Sequence, residues 1–563
     1  MTGSGATGST PGQDANGQAV RWLGVGLFLV ALVATFATQR GYGIVSDVGN
    51  YFHSSRLQLE WARELVQSIL RGDPFSVLNR EVVSEYWRWQ PDRIPHPPLS
   101  RELSGLGYAA FRRFLDPLAA YRVAIILTYS GLVAAVGMIT ARGTRSWLAG
   151  LIAGGATLSV PAFFAYGHFA NTDLFLAAFW FGAAAALYMY TETERPGWLI
   201  AAGLMFGAAC STKFTGVLLL PVLVLWLVLR GRRELKPILV MVGIAAAVFF
   251  ATNPVTWVDP IGGIWDYVKA GMFRSISVHI PTVYFGEIYN FRGPWHFAFV
   301  WTAIVVPIPL LVAAGVGLSN RQSGGLLGLV LVNLGVLYGV TLLPATPLHD
   351  GIRLFLAVFP FVCVLAGLGA SRAFDLLAQR APEWLSRRPG VVAVALALIV
   401  LGLPVARTMQ SHPHQLSYFN ALVGGVRGAE SRGLEITTQK EVLNRDVLAD
   451  LVEVIPGGAV IDPGFMLEEI CFYQDIGWAP ADWTPEVTVV FLNGAREYLG
   501  CDPEGSPLRV PLDREARQPS WVFQYHRPTA VLVQDLGGID TETGPAYEVS
   551  TEGVPLLSVY RAP

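Results

Sequence analysis

The 563-residue chain is 52% hydrophobic and only 15% charged, with a mean hydropathy of +0.44, which takes it out of the soluble class. A formal net charge of -2 leaves no basic surplus to screen a nucleic-acid backbone, so that partner is excluded. Four cysteines are too few for a disulfide framework.

Residues 1–18, rich in Gly, Ser and Thr, read as a disordered cytoplasmic tail. Eleven apolar runs follow, near 21–40, 119–141, 147–165, 172–190, 198–212, 215–230, 238–253, 297–317, 326–344, 352–370 and 390–406. A spanning helix needs about 20 such residues. The first run has no small-residue cleavage site and stays as an anchor. Arg and Lys crowd alternate short loops, most densely at Arg230, Arg232, Arg233 and Lys236. The inside-positive bias therefore places the N-terminus in the cytoplasm and, with an odd number of spans, the C-terminus outside.

Three long segments then face outward: 41–118, 254–296 and everything after 407. In the first, Leu57, Trp61, Leu65 and Ile69 recur every fourth residue and predict an amphipathic helix lying in the interface. Leu99 to Leu115 repeats that pattern more weakly. The aromatic residues of the second segment, among them Trp257, Trp265, Tyr284 and Trp295, read as an interfacial belt. After a helical stretch near 440–455, short β-prone runs alternate with Gly and Pro turns, which predicts a small α+β domain over 408–563. Cys471 and Cys501 lie there, where an oxidising compartment would permit a bridge; spacing alone does not show one.

Ionisable residues are nearly absent from the middle of the runs and gather at their outer ends: Asp47, His96, His168, Asp173, Lys213, His279, Glu287, His296, His349, Asp350 and Arg353. A transporter would carry such groups near the midplane. One-sided placement points instead to an active site at the outer surface. Lys213 and Arg353 are suited to hold a phosphate, and Asp47 to accept a proton. The plainer readings are a snorkelling Lys213, an Arg353 paired with Asp350, a first-turn acid in Asp173 and a loop or cap residue in Asp47. The histidines are spaced too irregularly for metal ligands, and no metal or cofactor is expected.

The motifs carry a resemblance. SDVGNYF (46–52), HPPL (96–99), NTDLF around Asp173, STKFTG around Lys213, NPVTWVDP (253–260), YFGEIYNFRGPWHF (284–297), HDGIRLFLAVFP (349–360) and HPHQLSYFNALVGG (412–425) follow the order of glycosyltransferase family 39. That family holds protein O-mannosyltransferases and lipid A aminoarabinose transferases. The resemblance implies an all-α polytopic membrane protein of the GT-C type, with about eleven spans in residues 19–407. It also implies inverting transfer of a hexose or pentose from a polyprenyl-phosphate carrier to a protein, lipid or envelope-glycan acceptor, outside the plasma membrane. Asp47 would be the base, Asp173 a second acid, and Lys213 and Arg353 the carrier-phosphate contacts. Tyr51, His96, Glu287 and His349 are expected to touch substrate. Paired acids are common in the first loop of the family, but here Asp47 is followed by Val48, which leaves Asp47 as the base candidate. The last motif reads as a linker docking the outer domain. A flippase for lipid-linked sugar and a non-catalytic envelope binding protein are the rival readings.

Overall fold

The computed structural model describes residues 11–87, 96–272, 280–380, 387–490, 496–501, 509–526 and 544–562. Each of the eleven apolar runs holds a helix. Among the described residues six helices are long and apolar enough to cross a membrane: Gly17–Gly41, Pro117–Thr144, Thr172–Thr193, Arg321–Thr341, Arg353–Arg380 and Pro389–Gln410. A seventh is broken, Phe297–Val305 and Ile308–Gly317 meeting at 117°. Pro307 forces the break, because it disfavours helical backbone at Val306, which is extended. Pro161 divides the 147–165 run after Ser159 in the same way. Trp147–Ser159, Pro196–Cys210, Phe214–Leu229 and Leu235–Ala251 are the shorter apolar helices. The expected tail is helical from Pro11 onward, as the first helix extends N-terminal to the apolar run.

Small residues let the helices approach closely. A Cβ on Gly369 would stand 1.8 Å from the Ala313 carbonyl oxygen, and one on Gly317 would stand 2.1 Å from that of Leu365. Van der Waals packing of this kind holds apolar helices together where lipid removes the hydrophobic drive.

The first of the three long segments forms helices Val48–Leu70, Arg80–Trp87 and Leu99–Phe111. The second contributes helix Pro260–Met272 and a hairpin of β1 (Pro281–Tyr284) and β2 (Glu287–Asn290). Its aromatic residues divide: Trp265 and Trp295 are exposed, whereas Tyr284 is buried and bonds His296. In the linker motif, the Asn420 side-chain amide donates to the Ala303 and Val306 carbonyls at 2.7 Å, docking the chain on the broken helix.

Helices Arg445–Val454 and Leu467–Asp475 accompany β3 (Val460–Asp462), β4 (Thr484–Val490), β5 (Arg496–Cys501), β6 (Arg509–Pro511), β7 (Trp521–Tyr525), β8 (Tyr547–Thr551) and β9 (Val554–Arg561). The sheet order is β6-β5-β4-β3-β7-β9-β8, with β3 parallel to both neighbours and the other pairs antiparallel. Cys471 and Cys501 form a disulfide that ties Leu467–Asp475 to β5. One apolar core runs without interruption from Leu27 in the first span to Val559 in β9, so this domain is packed onto the helical body.

Candidate active site

Arg353 is the centre of the site. Asp350 and Gly351 both adopt positive φ, 54° and 61°, which the Asp-Gly pair tolerates. The chain turns back there and starts the 3-10 helix Arg353–Val358, leaving the guanidinium buried at its mouth. Its Nε donates to Asp173 Oδ2 at 3.0 Å and its Nη1 to Asp350 Oδ2 at 3.2 Å. The third fork nitrogen, Nη2, donates to Asp47 Oδ2. Lys213 donates to the other oxygen of Asp173 at 2.6 Å.

Local backbone aims each group. Asp47 sits in the left-handed region, φ 76°, directly before helix Val48–Leu70, and its side chain makes no capping bond to that helix. The cap reading therefore fails, and the carboxylate turns to Arg353 instead. Its side chain is still 40% exposed, so an incoming hydroxyl can reach it. Asn171, not Asp173, caps helix Thr172–Thr193. Asp173 thus faces the cations while its charge also favours the helix N-terminus. Lys213 occupies the extended break between Pro196–Cys210 and the 3-10 helix Phe214–Leu218. It is buried and paired, so the snorkelling alternative is replaced by an ion pair.

Asp350 adds a third carboxylate that the sequence offered only as a structural partner of Arg353. Burial opposes its ionisation, but His349 and Arg353 outweigh that and hold its carboxyl below the usual range. Three carboxylates therefore share two cations, where the sequence suggested free cations awaiting a phosphate. Any phosphate at Lys213 or Arg353 must share donors that already serve acids; a guanidinium has five and an ammonium three.

A cavity of about 130 Å³ opens beside this cluster. His96, Asp173, Lys213, His349 and Arg353 form its polar side, and Trp180, Leu218, Leu337 and Val340 part of its apolar side. Of the expected substrate contacts, His96 and His349 line this cavity. Tyr51 lies within the field of Asp47, and burial followed by that negative charge raises its phenol above the ordinary value. Glu287 does not join them. It stands exposed on β2, outside the residues lining the cavity, because the β1–β2 turn carries it to solvent. His279 lies outside the described residues. Among the described residues no group of three His, Cys, Asp or Glu is placed to hold a metal ion.

Sequence reasoning missed Arg122. Buried in span Pro117–Thr144, it donates to the carbonyls of Gln39 at 2.8 Å, Tyr42 at 3.1 Å and Gly43 at 2.6 Å, just ahead of Asp47. The available signal was a lone Arg near the start of an otherwise apolar run. His168 supports the same segment, stacking on Tyr42 with ring centroids 4.3 Å apart.

Residues 138–257 match the family described as dolichyl-phosphate-mannose-protein mannosyltransferase, a stretch that includes Asp173 and Lys213. Among solved structures, the chain is similar to ArnT from Cupriavidus metallidurans bound to undecaprenyl phosphate, at 18% identity and a TM-score of 0.47, covering 80% of this chain and 84% of that one. For the same protein in the apo state the values are 16% and 0.47, covering 95% and 97%. The archaeal oligosaccharyltransferase AglB from Archaeoglobus fulgidus, in complex with an inhibitory peptide and a dolichol-phosphate, aligns at 14% identity and a TM-score of 0.40 over 69% of this chain and 56% of that one. Among curated proteins none matches the chain.

Proposed function

We propose that the chain is an inverting glycosyltransferase that moves a sugar from a polyprenyl-phosphate carrier to a hydroxyl-bearing protein, lipid or envelope glycan on the outer face of the membrane. The observation that carries the reading is the convergence of Asp47, Asp173 and Asp350, from three separate segments, on the one guanidinium of Arg353. The family match over 138–257 supports it, since that stretch supplies both Asp173 and Lys213.

In the proposed step the acceptor oxygen attacks the anomeric carbon and passes its proton to Asp47. The bond from that carbon to the phosphate oxygen breaks, and its electron pair leaves with the carrier phosphate. What matters for this role is that Arg353 fixes the position of Asp47 while leaving it open to the acceptor. Lys213 and Arg353 line the cavity where the leaving phosphate gains charge. As that charge develops, the two cations redistribute their donors from the carboxylates toward the phosphate.

The test is incubation of the purified chain with radiolabelled polyprenyl-phosphate sugars and membranes. Label passing to an acceptor, with free polyprenyl phosphate released, is the expected result. Label that only changes leaflet would establish a flippase and overturn the transfer reading.

A further inference from the structure

The backbone that delivers Asp47 is gripped from two sides. Arg122, from the helical body, holds the carbonyls of Gln39, Tyr42 and Gly43. The opposite side is held by residues beyond the last span. The Tyr473 hydroxyl accepts from the Ile44 N–H at 2.8 Å and donates to the Leu443 carbonyl at 2.5 Å. The Asn444 side-chain amide donates to the Gly41 carbonyl at 3.0 Å, and the Gly43 N–H donates to the Glu441 carbonyl at 3.2 Å. The fit is close: a Cβ on Gly43 would stand 2.2 Å from the Leu443 oxygen.

Helix Leu467–Asp475, which carries Tyr473, also lies along the helix that starts after Asp47. Asn50 donates to Glu468 at 2.7 Å, Arg56 pairs with Asp475 at 2.8 Å, and the Phe52 and Phe472 rings meet edge-on at 5.1 Å. Contacts from the C-terminal domain therefore flank Asp47 on both sides along the chain. Tyr473 is fully buried, and each of its two bonds serves one backbone group of the joint.

We propose that Tyr473 and Asn444 are positioning residues for Asp47, which makes the outer domain part of the catalytic unit. The proposal rests on the transfer reading in taking Asp47 as the base. Neither residue touches substrate; each fixes a backbone that places the carboxylate beside Arg353. Misplacement of a reacting group by about 1 Å costs on the order of 100-fold in rate, so small loosening of 41–47 would be read in turnover before it is read in binding.

The experiment uses the full chain in nanodiscs. Tyr473→Phe keeps the ring and removes both bonds. Asn444→Asp keeps the oxygen that caps Asp446 and Val447 and removes the donor to Gly41. Each variant is expected to lower kcat by about 10- to 100-fold, to leave KM for the polyprenyl-phosphate sugar within about twofold, and to speed amide exchange over 41–47. Tyr525→Phe, in the same domain with no hydrogen-bond partner at its hydroxyl among the described residues, is the control and should match wild type. A folded Tyr473→Phe with kcat within about twofold of wild type overturns the proposal. If that variant does not fold, the same threshold applied to Asn444→Asp decides. A wild-type chain without turnover would sink the transfer reading separately; the positioning claim then falls if exchange over 41–47 is unchanged in both variants.

Discussion

Two buried arginines near the N-terminal ends of the helices Pro117–Thr144 and Arg353–Arg380 do different work. Arg353 meets carboxylates on three sides, whereas the hydrogen bonds of Arg122 among the described residues go to backbone carbonyls. A cation among carboxylates is exchangeable machinery, because its donors can be redistributed when a new anion develops nearby. A cation among carbonyls has no such alternative and serves as a fixed bracket. Under the proposed transfer, the chain separates the group that does chemistry from the one that shapes the loop delivering it, although both are buried arginines.

Conservative and truncating substitutions break this comparison in opposite ways. Arg353→Lys retains a charge but loses the fork that binds three acids. It should lower kcat by about 1,000-fold while thermal unfolding of the purified chain shifts little. Arg122→Met removes the donor to the buried Tyr42 and Gly43 carbonyls, while that of Gln39 keeps the Tyr42 N–H, and should destabilise the chain by about 2 kcal/mol or more, seen first as a lower Tm. Equal losses of turnover and stability in both variants would erase the distinction.

Glu441, next to the outer-domain grip, gives a weaker effect with a defined sign. Its side chain is buried, and burial pushes its carboxyl up to about 7 from 4.5. Below pH 4.5 the group is protonated in both folded and unfolded chains. Between there and about 7 the unfolded chain ionises first, so this residue's contribution to stability falls as pH rises and then levels off. Glu441→Gln removes that slope. Relative to wild type it should gain on the order of 3 kcal/mol between acidic and mildly alkaline pH. Parallel Tm profiles for the two proteins would show that Glu441 does not titrate across that window.

Much of the helical architecture was legible because apolar runs of span length leave a composition signal that no other fold produces. The clustering of Asp47, Asp173, Lys213 and Arg353 had a sequence signal too: they were among the ionisable residues at run ends that inside-positive loops did not explain. Sequence did not reveal that the acids would neutralise the cations, because pairing across 180 residues between Asp173 and Arg353 leaves no spacing pattern. Glu287 misled for the opposite reason, since an acid in an outer segment looks alike whether its turn points inward or to solvent. Tyr473 and Asn444 were invisible because they act through backbone groups, and a hydrogen bond to a carbonyl or N–H places no demand on the partner's identity. Breaks such as Pro307 could be read as helix interruptions, but not the 117° bend between the halves.

The most direct test of the whole account is single-turnover transfer by Asp47→Asn, measured beside equilibrium binding of undecaprenyl phosphate. Asn keeps the size of the side chain and an acceptor oxygen for Arg353, but it cannot take up a proton. The account predicts that transfer falls by about 10,000-fold with carrier binding within a few-fold of wild type. Transfer at the wild-type rate in that variant would contradict it.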